Sequence, residues 1–132
     1  MVDDYAHHPT EIAATLRAAK EGWSQRVIAV FQPHRYSRTK FLQEEFTHAF
    51  ADADIVILTD IYAPPPEQPI PGISSEIMAD KMKRLGKKVY LIKNQAEIAP
   101  FLAQIACPGD LIITMGAGPI WKTARELCDL LG

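Results

Sequence analysis

The chain has 132 residues, 48% of them apolar and 23% charged, with a net charge of −2. That length suits one domain with a substantial core and is too short for two, so residues 1–132 are expected to form a single domain. No basic tract favours nucleic acid as a partner, no apolar run approaches the roughly 18 residues of a membrane span, and no secretory signal pattern is present, so a cytoplasmic protein without membrane association is expected.

In chain order, Asp3 to His8 places two carboxylates, a phenol and two imidazoles where a strand ends and a helix begins. Pro9 suits the first helical turn and Glu11 suits the positive end of the helix dipole. A helix cap needs one such side chain, and five favour a site. Chemistry this close to Met1 leads us to expect a piece of a longer polypeptide.

Pro9 to about Glu21 reads as an amphipathic helix with Ile12, Leu16 and Ala19 on one face. Arg26 to Phe31 is a continuous apolar run, as expected of a parallel strand covered on both faces. The polar loop Gln32 to Thr39 precedes a helix to about Asp52, with Phe41, Leu42, Phe46, Ala49 and Phe50 expected inside. A strand at Asp54 to Ile61 leads into Tyr62 to Gly72, a loop stiffened by five prolines. A helix from Ser74 or Ser75 to about Leu85, a strand at Lys88 to Ile92 and a helix from Gln95 to Ala106 follow. Leu111 to Met115 is the last strand, and Gly116-Ala117-Gly118-Pro119 opens the last helix, with Ile120, Ala124, Leu127 and Leu131 expected on its buried face. Cys107 and Cys128 lack metal or redox spacing and read as buried thiols.

Alternating strands and helices imply an α/β fold: a Rossmann-like, doubly wound, mostly parallel sheet with helices on both faces. The helix-to-strand links are short and plain, whereas the strand-to-helix links carry the unusual residues. In a parallel sheet the latter all emerge at the carboxyl edge, where open α/β folds bind ligands. Asp3 to His8, Gln32 to Thr39, Tyr62 to Gly72 and Gly116 to Gly118 should therefore converge on one rim.

Arg35 and Arg38, three apart around a helix start, can face one side and, with helix N–H groups, receive a carboxylate or phosphate. His7 and His8 have poor metal spacing and read as orienting hydrogen-bond donors, so no metal ligand is assigned. Asp4 at a strand end resembles the acidic residue that holds ribose hydroxyls in nucleotide folds. Gly116-x-Gly118 by itself means close packing. His48 reads as a surface residue.

The stretches Asp3 to Glu11, Phe31 to Thr39, Pro69-Ile70-Pro71-Gly72 and Gly116-Ala117-Gly118 closely resemble the C-terminal domain of the Mur ligases of bacterial peptidoglycan synthesis. The likeness covers essentially the whole chain, and Pro33 to Arg38 looks like the alanine-adding branch of that family. The resemblance implies a Rossmann-like third domain, whose partners are an N-terminal UDP-substrate domain and a central ATPase domain. ATP would phosphorylate the carboxylate of UDP-N-acetylmuramate, and the amine of L-alanine would displace phosphate to form an amide. Mg2+ would accompany ATP, with its ligands mainly outside this chain.

By the same resemblance Asp4 would hold the ATP ribose, while Tyr5, His7, His34, Arg35 and Arg38 would line the amino-acid and acyl-phosphate side. His7 and His34 are the candidate catalytic residues. Pro119 stands where the family usually has Asn or Asp, so position 119 is left out of the site. No Gly-x-x-x-x-Gly-Lys-Ser/Thr phosphate loop occurs, so the chain alone is not expected to turn over. Two alternatives stay open: the related ligase that recycles murein tripeptide, and a free-standing nucleotide- or anion-binding regulatory domain.

Overall fold

The structure, a computed structural model, describes the backbone of residues 2–4 and the whole of residues 7–131. Five strands form one parallel sheet in the order β1-β5-β2-β3-β4: β1 (Val2–Asp4), β2 (Val27–Phe31), β3 (Ile55–Leu58), β4 (Val89–Leu91) and β5 (Leu111–Met115). Between and after them run α1 (Pro9–Gly22), α2 (Tyr36–His48), α3 (Ser75–Arg84), a 3-10 turn at Gln95–Glu97 continuing into α4 (Ile98–Ile105), and α5 (Trp121–Leu131). The doubly wound α/β reading holds.

Successive strand residues point to opposite faces, so a strand covered on both sides must be apolar at every position. Val27, Ala29 and Phe31 of β2 join Ile12, Leu16, Phe46, Phe50, Met78 and Met82 from α1, α2 and α3. Ile28 and Val30 join Ile98, Leu102, Ile120 and Leu127, the α4 and α5 side. Phe31 is the centre of the first layer, its ring 5.2 Å from Phe46 and 5.3 Å from Phe50.

Three expectations are corrected. Phe41 is 79% exposed, because α2 buries Thr39, Phe46 and Thr47, with Leu42 packed against the same layer, and Phe41 falls beside that stripe. Leu131 is 61% exposed at the end of α5, beyond Thr123 and Leu127, the residues the helix does bury. Cys107 and Cys128 are both exposed, the first in the turn before β5 and the second on the open side of α5. Among the described residues no helix is long and apolar enough to cross a membrane.

Candidate functional site

The carboxyl ends of the strands lie level. Asp4 pairs with Met115, Met115 with Phe31, Phe31 with Leu58, and Leu58 with Leu91. The links that follow β1, β2, β3 and β5 therefore leave the sheet along one line, as the position of the unusual residues implied. Beyond the sheet the ladder gains one more rung, a parallel bridge between His34 and Tyr62. Tyr62 N–H donates to the Pro33 carbonyl at 2.9 Å and Arg35 N–H to the Tyr62 carbonyl at 2.8 Å. The His34 and Tyr62 rings stack with centroids 5.8 Å apart. His34 is thus held by backbone on both sides, which makes its ring a rigid part of the rim.

Arg35 takes the N-cap position of α2 with φ 72°, a conformation L side chains seldom adopt. No side chain at the cap itself satisfies the helix start. The Glu67 carboxylate does so from the proline-rich loop. Its Oε1 accepts from Tyr36 N–H and, at 3.3 Å, from Ser37 N–H, while Oε2 accepts from Ser37 Oγ at 3.0 Å. These first N–H groups of α2 are therefore already engaged by the chain's own carboxylate. Arg38 lies in the first turn with its Nη1 shielded from solvent, and Nη1 has no hydrogen-bond partner among the described residues. The same is true of His34 Nδ1.

His34 is held below the ordinary histidine range, first by burial and then by the positive charges of Arg35 and Arg38, with a smaller effect of the neighbouring His7 and with Glu67 opposing. It is therefore neutral at neutral pH. A histidine depressed in the folded state binds its proton more readily when unfolded. Its contribution to stability is thus lost as pH falls below about 6.5 and levels off below the folded value. An NMR titration of His34 should give a midpoint below that reference, and Arg38→Ala should move it upward. A midpoint that stays put in the variant would disprove the arginine contribution.

His7, with its side chain 23% exposed, stands within electrostatic reach of His34, and its Nδ1 is 3.8 Å from Glu11 Oε1. His8 serves as the helix cap. Its Nδ1 accepts from Thr10 N–H at 3.1 Å, and its own N–H donates to Glu11 Oε1 at 3.2 Å, a reciprocal capping box. One of the clustered groups at the chain's opening thus has the plain role, while His7 lies within electrostatic range of His34. Tyr5 and the side chain of Asp4 lie outside the described residues, although the backbone of Asp4 is placed at the rim by its pairing with Met115.

The turn after β5 closes the other side. A Cβ on Gly116, at φ 150°, would stand 2.9 Å from the Gln32 carbonyl oxygen. One on Gly118 would stand 2.9 Å from both Gln32 Oε1 and Tyr62 Cδ1. The two glycines let this turn press against the β2 and β3 loops. The link after β2 leads to α2 on one face and the link after β5 leads to α5 on the other, and a cleft of about 450 Å³ opens along Tyr62, Gly116–Pro119, Trp121 and Lys122. Gln95 Nε2 donates to the Pro119 carbonyl at 2.8 Å, so position 119 acts here through its backbone. Among the described residues no cluster of three or more His, Cys, Asp or Glu could hold a metal ion.

Sequence reasoning missed Tyr62, Gln32 and Glu67. Gln32 is 5% exposed inside the turn, and Tyr62 and Glu67 reach His34 and α2 across a gap of some thirty residues. The available signal was a lone acid within a run of prolines, a stiff frame able to hold a carboxylate in place.

An all-parallel, doubly wound sheet with cationic and imidazole groups at its carboxyl rim defines a Rossmann-like α/β domain. Residues 1–118 match the family model described as Mur ligase, glutamate ligase domain, and the chain belongs to that family. It is 57% identical over 132 residues to the UDP-N-acetylmuramate–L-alanine ligase of Symbiobacterium thermophilum, covering 99% of this chain and 27% of that protein. It is 55% identical over 132 residues to the enzyme of the same name from Geotalea uraniireducens, covering 99% of this chain and 29% of the relative. The chain thus spans little more than a quarter of either. Among solved structures, the UDP-N-acetylmuramate–alanine ligase of Thermotoga maritima superposes with a TM-score of 0.71 at 26% identity, over 96% of this chain and 25% of that one.

Proposed function

We propose that this chain is the C-terminal domain of an ATP-dependent ligase that joins L-alanine to UDP-N-acetylmuramate through an acyl phosphate. N-terminal UDP-substrate and central ATPase domains would be its partners in a cytoplasmic enzyme. The observation that carries the reading is the rim itself. Two arginines and a neutral histidine stand together there, with Arg38 Nη1 and His34 Nδ1 shielded and unpartnered among the described residues. Such donors suit a small amino-acid carboxylate, and the chain's likeness to two relatives named as L-alanine ligases runs through 99% of its length.

In this reading Arg35 and Arg38 grip the alanine carboxylate, which orients the amine towards the acyl carbon. His34, kept neutral, can accept a proton from the incoming ammonium, and His7 beside it orients the same group. Tyr5 lines this side of the site. Asp4, at the end of β1, bonds the ATP ribose hydroxyls. Mg2+ belongs with the ATP phosphates and takes its ligands mainly from the other domains. The motifs after β2 favour alanine addition over murein-tripeptide recycling.

The direct test is a chimera in which this chain replaces the matching part of the Symbiobacterium relative. Alanine-dependent release of ADP and formation of the amide are expected. A folded chimera that hydrolyses or ligates nothing in response to alanine would refute the assignment. Within the chimera, Asp4→Ala should raise the KM for ATP more than that for alanine, since charge-assisted bonds to ribose contribute on the order of 1–3 kcal/mol. A raised alanine KM with ATP unaffected would reverse the role of Asp4.

A further inference from the structure

Glu67 has no part in the chemistry proposed above, yet it reaches from the loop after β3 to the start of α2, beside the two arginines. Its carboxylate takes Tyr36 N–H, Ser37 N–H and Ser37 Oγ, so the dipole end of α2 is filled by the chain's own anion. Burial works against the charged form, but the bonds from Ser37 and Tyr36 and the nearby Arg35 outweigh it and hold Glu67 below the usual glutamate range. Arg35 and Arg38 contribute two positive charges, Glu67 removes one, and His34 is neutral at neutral pH. One net positive charge remains.

We propose that Glu67 is a specificity-determining residue of the rim: by occupying the first N–H groups of α2 and offsetting one guanidinium, it leaves Arg35 and Arg38 a receptor for a singly charged carboxylate and closes that receptor to phosphate. The inference rests on the arginine pair receiving a carboxylate, as proposed above. Without Glu67 the same place would combine two guanidiniums with free helix N–H groups, an arrangement that favours phosphate. A ligase that works beside ATP and an acyl phosphate needs its amino-acid subsite kept clear of both.

The test is an NMR titration of the 15N-labelled chain with sodium acetate and, separately, with sodium phosphate at constant ionic strength. The signals followed are the Tyr36 and Ser37 amides and the Arg35 and Arg38 Nε–H groups. In the wild type, acetate should shift the arginine signals and phosphate should leave the two amides unmoved. In Glu67→Gln and Glu67→Ala, phosphate should bind more tightly by on the order of tenfold, with acetate gaining less, and in Glu67→Ala phosphate should now also shift the Tyr36 and Ser37 amides. Glutamine keeps the length and one acceptor oxygen, so the phosphate gain should persist even where alanine loosens the loop. Equal phosphate affinity in the wild type and Glu67→Gln would overturn the proposal, as would phosphate moving the wild-type amides. Failure of acetate to shift either arginine in the wild type would instead count against the carboxylate clamp, while the phosphate comparison alone decides the role of Glu67.

Discussion

Arg38→Lys in the chimeric ligase is expected to behave like Arg38→Ala. An ammonium cannot reproduce the planar fork that grips a carboxylate with two donors. Arg38 projects from the first turn of α2 with one nitrogen already shielded from water, so a shorter-reaching point charge would neither fill that position nor meet the ligand in the same plane. Loss of either clamp member should cost roughly 2–4 kcal/mol of transition-state stabilisation, because the attacking amine is misplaced as well as more weakly held. Alaninamide, which keeps the amine and lacks the carboxylate, separates the two roles an arginine could have here. The wild-type site should prefer alanine strongly, and Arg35→Ala and Arg38→Ala should lose most of that preference. Variants that discriminate as sharply as wild type would assign the arginines to phosphate or to structure.

Asp110→Asn should lower stability while sparing the rim. Asp110, with its side chain 6% exposed, forms a two-pronged pair with Arg26: Nη2 to Oδ2 at 2.6 Å and Nε to Oδ1 at 3.0 Å. Asp110 Oδ2 also accepts the Cys107 N–H at 2.8 Å, and Arg26 Nη2 donates to the Ile105 carbonyl at 3.0 Å. This cluster ties the start of β2 to the turn before β5, at the end of the sheet opposite the rim. Breaking a buried pair leaves its partner uncompensated. Because Arg26 remains one-third exposed (33%), the expected cost is about 2–3 kcal/mol, below the full figure for a dry pair.

The Arg26 bond holds the Asp110 carboxyl below its usual range, against burial and with help from the Cys107 N–H. A depressed carboxylate contributes stability that is complete above its unfolded value, near pH 3.9, and is lost as pH falls through the folded value. The gap between wild type and Asp110→Asn in denaturant titrations should therefore be widest near neutrality and narrow in acid. A constant gap across that range would mean that the charge contributes nothing.

Much of the architecture can be read from local pattern alone. The unbroken apolar runs at Arg26 to Phe31 and Leu111 to Met115 require cover on both faces, and alternation with helices makes the sheet parallel. The contrast between plain and unusual links then locates the rim, because parallel strands all end on the same side. Ile12 and Leu16 fall inside as their spacing says, since a helical stripe needs only its own periodicity. Arg35, Arg38 and His34 are legible because they crowd one loop at a helix start.

What the tertiary structure alone decided depends on contacts across distant parts of the chain. Periodicity gives the angle of a side chain around its helix but not the breadth of the surface beneath, so Phe41 and Leu131 are left in solvent. Five polar groups at the chain's opening look alike in sequence, and only the backbone path separates His8, the cap, from His7, which shares a field with His34. Glu67 reaches the start of α2 only because the His34–Tyr62 rung draws the β3 loop alongside the β2 loop. Its carboxylate, rather than a residue at the cap, satisfies that helix, because hydrogen bonds are made by whichever acceptor the fold brings within reach, however far away in the chain it lies.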